Sequence, residues 1–197
     1  MPRSLCGCEQ FGLAQIDLPD RTPAYAGVGA PKALLPYGGV TFIESILGRI
    51  ALASIAHTVV VLGGRRDEIL AHVPLPGALW NPEYEKGMIT SIQAGIRGLP
   101  AECEAAMLFL VDHPVFKVDT IHALIDAFNA ASFSGSGRIA LPAYQSRRGH
   151  PALFSREILE EILQLPTHVG ANRVIWKDPA RVIHVEVDDP GVCMDID

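Results

Sequence analysis

Lys32 is the only cation in the loop Gly29-Ala30-Pro31-Lys32-Ala33-Leu34-Leu35-Pro36-Tyr37-Gly38-Gly39. Glycines let backbone approach a ligand closely, and prolines stiffen the path of the chain. An ammonium fixed beside exposed backbone N–H groups suits a phosphate, since both present positive charge to an anion. The competing reading is a plain surface loop with a solvated lysine. Asp112 follows the apolar run Ala105-Ala106-Met107-Leu108-Phe109-Leu110-Val111 and precedes His113-Pro114. A carboxylate there either caps a helix or binds a cation. Pro114, together with a later candidate cap at Asp119, favours the cation, and Mg²⁺ takes one or two carboxylates plus substrate phosphates.

Two further segments carry candidate chemistry. Asn81-Pro82-Glu83-Tyr84-Glu85-Lys86-Gly87-Met88 leads into a helix containing Ser91. A glycine-started helix offers free N–H groups to a base or a phosphate, or it is simply a close-packed helix entry. Arg147-Arg148-Gly149-His150-Pro151 gathers three cationic or titratable side chains around a glycine. It reads either as a solvated hairpin tip or as an anion clamp for a second substrate. Asp112 is expected to be exposed near Lys32, and Arg147, Arg148 and His150 to line the same cleft.

These residues need a scaffold, and strands and helices alternate along the chain. Candidate strands are Thr58–Leu62, Ala105–Val111, Arg138–Pro142 and Val182–Val187, the last alternating polar and apolar as an edge strand does. Gly12–Leu18 is a candidate first strand. Thr41-Phe42-Ile43-Glu44 is a capping box for a helix with Ile46, Leu47 and Ile50 on its apolar side. Asp119 and Ser155 are expected to start two more helices. Such alternation predicts a mostly parallel sheet covered on both faces, with ligands beyond the carboxyl ends of its strands. Ser134-Gly135-Ser136-Gly137 reads as a turn rather than a linker. The expected organisation is an atypical N-terminal segment, 1–28, and a single domain, 29–197.

Size and composition narrow the classes. The 197 residues are 49% hydrophobic and 19% charged, enough for one domain with a real core. A net charge of −6 without a basic stripe argues against duplex nucleic acid or an anionic membrane as partner. No apolar run reaches the ~20 residues of a membrane-spanning helix. The first residues lack the apolar centre of a signal peptide, and Cys6, Cys8, Cys103 and Cys193 form no spaced framework. A reducing, cytoplasmic setting is expected.

Taken in order, Gly29-Ala30-Pro31-Lys32, Asn81-Pro82 with Gly87-Met88 and Ser91, Asp112-His113-Pro114, Arg148-Gly149-His150-Pro151, and Val187-Asp188-Asp189-Pro190-Gly191 with Asp195-Ile196-Asp197 resemble the MobA-like NTP transferase family. The nearest likeness is to its molybdenum cofactor cytidylyltransferase (MocA-like) branch. The resemblance implies an α/β, Rossmann-like three-layer sandwich of the nucleotide-diphospho-sugar transferase kind. It implies a Mg²⁺-dependent nucleotidyltransferase that uses CTP, or GTP, and a small phosphate-bearing acceptor such as molybdopterin. Lys32 and Asp112 would be catalytic, and Gly29, Lys32, Asn81, Gly87, Met88 and Ser91 would bind nucleotide. Asp112 with Asp195 or Asp197 would hold the metal, and Arg148, Gly149 and His150 would face the second substrate. Positioning and charge neutralisation would do most of the catalysis.

The chain departs from the family pattern Leu-Ala-Ala-Gly-x-Ser-x-Arg-x-Gly over Asp20–Gly29. Its serines are missing and Gly27 stands where the family has arginine. His113 replaces a usual glutamine. These departures leave a second expectation open, a catalytically weak relative that binds nucleotide or cofactor as a partner in molybdoenzyme maturation.

Overall fold

The computed structural model describes residues 11–15, 29–55, 57–131 and 137–196. Along the chain the strands are β1 (Phe11–Gln15), β2 (Pro36–Tyr37), β3 (Val40–Thr41), β4 (His57–Leu62), β5 (Leu79–Trp80), β6 (Ala105–Leu110), β7 (Ile139–Tyr144), β8 (Arg147–Arg148), β9 (Ala152–Ser155) and β10 (Val182–Glu186). The helices are α1 (Phe42–Leu52), α2 (Arg66–His72), α3 (Met88–Arg97), α4 (Val118–Ala130), α5 (Arg156–Leu163) and α6 (Asn172–Lys177).

The main sheet runs β10-β7-β9-β6-β1-β4-β5, with β8 paired to the far end of β7. Pairings among β5, β4, β1 and β6, and between β7 and β10, are parallel, while β9 is antiparallel to both neighbours. The alternating strand Val182–Glu186 lies at an edge, as its pattern predicts. Of the candidate first strand, the described residues fall in β1, Phe11–Gln15, between β4 and β6, so the 1–28 segment supplies a central strand of the sheet.

Helices cover both faces, giving three layers. Every residue of β6 is buried, because its alternate side chains feed two cores. Ala105, Met107 and Phe109 pack with α1 and α4, whereas Ala106, Leu108 and Leu110 pack with α3 and α5. The capping box opens α1, with Glu44 N donating to Thr41 Oγ1 at 3.3 Å and Thr41 N to Glu44 Oε2 at 2.8 Å.

Asp119 does not cap α4. Lys117 is the N-cap residue, and its N–H donates to Asp189 Oδ2 at 2.6 Å, as does Thr120 Oγ1 at 2.6 Å. Asp189 is 2% exposed and also accepts from Gly191 N at 3.1 Å, so a carboxylate about seventy residues away caps α4 and pins the C-terminal segment to it. The turn at 134–136 lies outside the described residues. No helix among the described residues is long and apolar enough to cross a membrane.

Candidate active site

From β1 the chain winds one way to β4 and β5 and the other way to β6, which opens a crevice at the carboxyl ends of these strands. Asp112 stands there, two residues past β6, where His113 N donates to Leu110 O at 3.1 Å and turns the chain. Asp112 is buried, 8% exposed, rather than exposed as the sequence suggests. Its position after a fully buried strand and under the C-terminal segment explains the difference. Ile196 N donates to Asp112 O at 2.9 Å, which brings exposed Asp195 to the same point.

Asp112, His113 and Asp195 form one cluster, with potential ligand atoms within 4.8 Å of one another. Asp112 Oδ1 is buried without a hydrogen-bond partner. Burial pushes the Asp112 carboxyl above its usual range; His113 opposes this, Asp195 adds to it, and Lys32 opposes it. Lys32 is therefore close enough to act on Asp112 electrostatically, as expected. An orphaned carboxylate oxygen facing a second carboxylate and an imidazole is a donor set that fits a divalent cation. Asp197 lies outside the described residues.

Lys32 begins a short 3₁₀ turn, Lys32–Leu34, after Pro31. Gly29 O, at the entry to this loop, accepts from Arg65 Nη2, and Arg65 is braced by Glu68 Oε2 at 2.8 Å from its Nε. Arg65 was not singled out from sequence; the signal was there in a cation three residues past the buried end of a strand, in Gly63-Gly64-Arg65. The altered loop at 20–28 lies outside the described residues.

On the α3 side, Asn81 and Ser91 are buried and bonded to each other. Asn81 Nδ2 donates to Ser91 Oγ and to Thr90 Oγ1, both at 2.8 Å, and Asn81 Oδ1 accepts from Glu83 N at 3.0 Å. They hold the loop into α3 in shape. Gly87, at φ 124°, is half-buried, and Met88 is exposed, as are Glu83, Glu85 and Lys86 of the same loop.

Gly149-His150-Pro151 interrupts what would otherwise be one long strand, with β8 before it and β9 after it. A side chain at Gly149 has no room, since a Cβ there would lie 2.2 Å from Val192 O, and His150 N donates to that same oxygen at 2.8 Å. The His150 ring packs on His113 at 4.7 Å between centroids. Burial, then the neighbouring His113, pushes the His150 pKa down to about 4, so it is neutral at pH 7 and brings no charge to an anion clamp. Arg147 and Arg148 are exposed on β8, beyond a turn through Gln145 and Ser146. They do not line the cavity that His150 borders. That cavity, about 290 Å³, is mostly apolar, with Ile92, Leu110, Phe154 and Ile175 in its walls. Its lining comes from four separate elements, which no local pattern announced.

Fold and site together define a doubly wound α/β protein with a lysine and a carboxylate cluster at the mouth of its sheet. The sequence profile of the MobA-like NTP transferase domain matches residues 26–182, and the chain belongs to that family. It is 26% identical over 202 residues to the nicotine blue oxidoreductase of Paenarthrobacter nicotinovorans, covering 94% of this chain and 96% of that one. It is 24% identical over 173 residues to the molybdenum cofactor cytidylyltransferase of Escherichia coli K12, covering 86% and 84%. Among solved structures, Rv0371c of Mycobacterium tuberculosis superposes with a TM-score of 0.76 at 22% identity, covering 91% of this chain and 88% of that one.

Proposed function

We propose that this chain is a divalent-cation-dependent nucleotidyltransferase that passes a nucleotidyl group, CMP from CTP, to a phosphate-bearing acceptor of the molybdopterin kind. The observation that carries the reading is the buried Asp112 carboxylate, its Oδ1 without a hydrogen-bond partner, within the electrostatic reach of Lys32 and beside Asp195, at the carboxyl ends of the strands. An acceptor phosphate oxygen would attack the α-phosphorus of the nucleotide, the bond to the β-phosphate oxygen would break, and pyrophosphate would leave. Lys32 neutralises charge on the triphosphate as the new bond forms. Asp112 and Asp195 would hold a cation, Mg²⁺ by resemblance, which screens the phosphates and orients them for in-line attack.

Gly29, Gly87 and Met88 line the nucleotide side, and Asn81 and Ser91 act through the shape of that loop. Arg148, exposed on β8 outside the apolar cavity, would supply positive charge to the acceptor phosphate, while Gly149 and the neutral His150 would meet the acceptor without charge. The cytidylyltransferase relative supports the choice of CTP and acceptor, and a complex of Rv0371c with manganese supports a divalent ion. The relative named as an oxidoreductase carries a similar chain. What favours phosphoryl chemistry here is the lysine and carboxylate pair.

A thermal-shift panel of CTP, GTP, ATP and UTP, each with and without Mg²⁺ or Mn²⁺, tests the reading, because a ligand bound by the native state raises apparent stability. A metal-dependent rise, largest for CTP, is expected. No response to any nucleotide in any metal would overturn it.

A further inference from the structure

The turn that ends β6 aims two donors at once. Asp112 Oδ1 is buried without a partner, and His113 Nε2 faces it at 4.0 Å. That separation is too long for a hydrogen bond, so the imidazole is not there to satisfy the carboxylate directly. It is a separation that two donors on one ion can take. With metal–ligand bonds of about 2.0–2.2 Å, two donors on one centre stand roughly 3–4.4 Å apart, from adjacent to opposite positions. The third donor, Asp195, comes from the far end of the chain and is held by the Ile196 N to Asp112 O bond at 2.9 Å. The His113 ring is itself held in place by its packing on His150.

Resting on the reading of Asp112 and Asp195 as cation-holding residues, we propose that His113 Nε2 is a third protein ligand and gives the centre a preference for a borderline first-row divalent ion over Mg²⁺. Mg²⁺ is a hard ion that takes oxygen donors and gives up its water reluctantly. Imidazole nitrogen favours the first-row transition ions, which accept mixed nitrogen and oxygen donors. Two carboxylates and one imidazole leave further positions for substrate phosphate oxygens. A glutamine at this position would offer an amide oxygen and lose that bias, so the residue type selects the metal.

Manganese is the probe, because bound Mn²⁺ reports its donors by electron paramagnetic resonance. Pulsed spectra of the unsubstituted protein loaded with Mn²⁺ and CTP are expected to show a directly bonded histidine nitrogen. That signal will change on ¹⁵N-histidine labelling and vanish in His113→Gln. In competition, the Mg²⁺ concentration needed to displace Mn²⁺ is expected to fall about tenfold or more in His113→Gln, the scale on which ligand-shell changes act. The spectra of the unsubstituted protein stand alone if the variant fails to fold. Mn²⁺ bound with no histidine nitrogen, and the same displacement by Mg²⁺ in both proteins, would overturn the role of His113 while leaving the metal centre intact. No Mn²⁺ binding by the unsubstituted protein, even with CTP, would overturn the metal centre itself and this inference with it.

Discussion

Replacing Asp112 by Asn is expected to make the metal-free protein more stable and at the same time blind to metal. In the folded chain Asp112 is 8% exposed, and its carboxylate has an oxygen without a hydrogen-bond partner and lies beside Asp195. A buried polar atom left unsatisfied costs about 1–3 kcal/mol, with charged groups at the upper end. Lys32 and His113 offset part of that cost. Asn keeps the shape and discards the charge, so a gain of about 1–2 kcal/mol is expected without metal. For a chain of this size each kcal/mol moves the melting temperature by about 2–4 °C.

The sign follows from proton linkage. A carboxyl held above its ordinary value of 3.8 binds its proton more tightly in the folded than in the unfolded chain. Stability of the unsubstituted protein therefore falls as pH rises from that value through the folded one, and the Asn variant lacks this fall. The difference between the two proteins will be full at neutral pH and disappear below the unfolded value. Scanning calorimetry in chelator and in Mn²⁺, at pH 3 and pH 7, measures both effects. A metal-free variant no more stable than the parent at pH 7 would refute the burial argument. A variant that still melts later in Mn²⁺ would refute Asp112 as a ligand.

Gly149→Ala places a methyl group 2.2 Å from Val192 O, so backbone must move; urea titration is expected to show a loss of about 1–3 kcal/mol and metal affinity to fall with it, because that segment carries Asp195. His150, neutral with a pKa of about 4 against the ordinary 6.5, favours the folded state fully above pH 6.5. At about 1.4 kcal/mol per tenfold change in proton affinity, roughly 3 kcal/mol is lost as pH falls from 6.5 to 4. His113 faces this ring and Asp112 acts in the opposite direction, so the check is the slope of stability with pH in His150→Phe against the parent, which is expected to flatten. Arg148→Ala is expected to weaken a phosphate-bearing acceptor and spare CTP affinity in calorimetric titrations; equal losses for both would assign the residue to structure.

The parallel strands were legible because burial on both faces demands unbroken apolar runs, as in Val59-Val60-Val61-Leu62 and Met107-Leu108-Phe109-Leu110. The α1 capping box was legible because its two hydrogen bonds are local. β9 was not, since Ala152-Leu153-Phe154-Ser155 is short, follows a proline and leads straight into a helix. Its pairing with both β6 and β7 is decided by distant chain. The cap on α4 failed for the same reason, because Asp189 reaches it from outside any local window. In the site, Lys32 and Asp112 stood out by residue type and position, whereas Asp195 came only with the family resemblance, as one of two C-terminal carboxylates. Arg65, the His113–His150 stack and the apolar cavity depend on contacts between elements, which one-dimensional spacing does not carry.

Pyrophosphate release tests the central claim most directly. The unsubstituted protein is incubated with CTP, a divalent cation and molybdopterin, beside Asp112→Asn and Lys32→Ala. Metal-dependent pyrophosphate formed in equal amount with a cytidylylated acceptor, and lost by about 10²-fold or more in both variants, is the expected result. Tight CTP binding with no pyrophosphate from the unsubstituted protein would contradict it and leave a nucleotide-binding relative that has lost transfer.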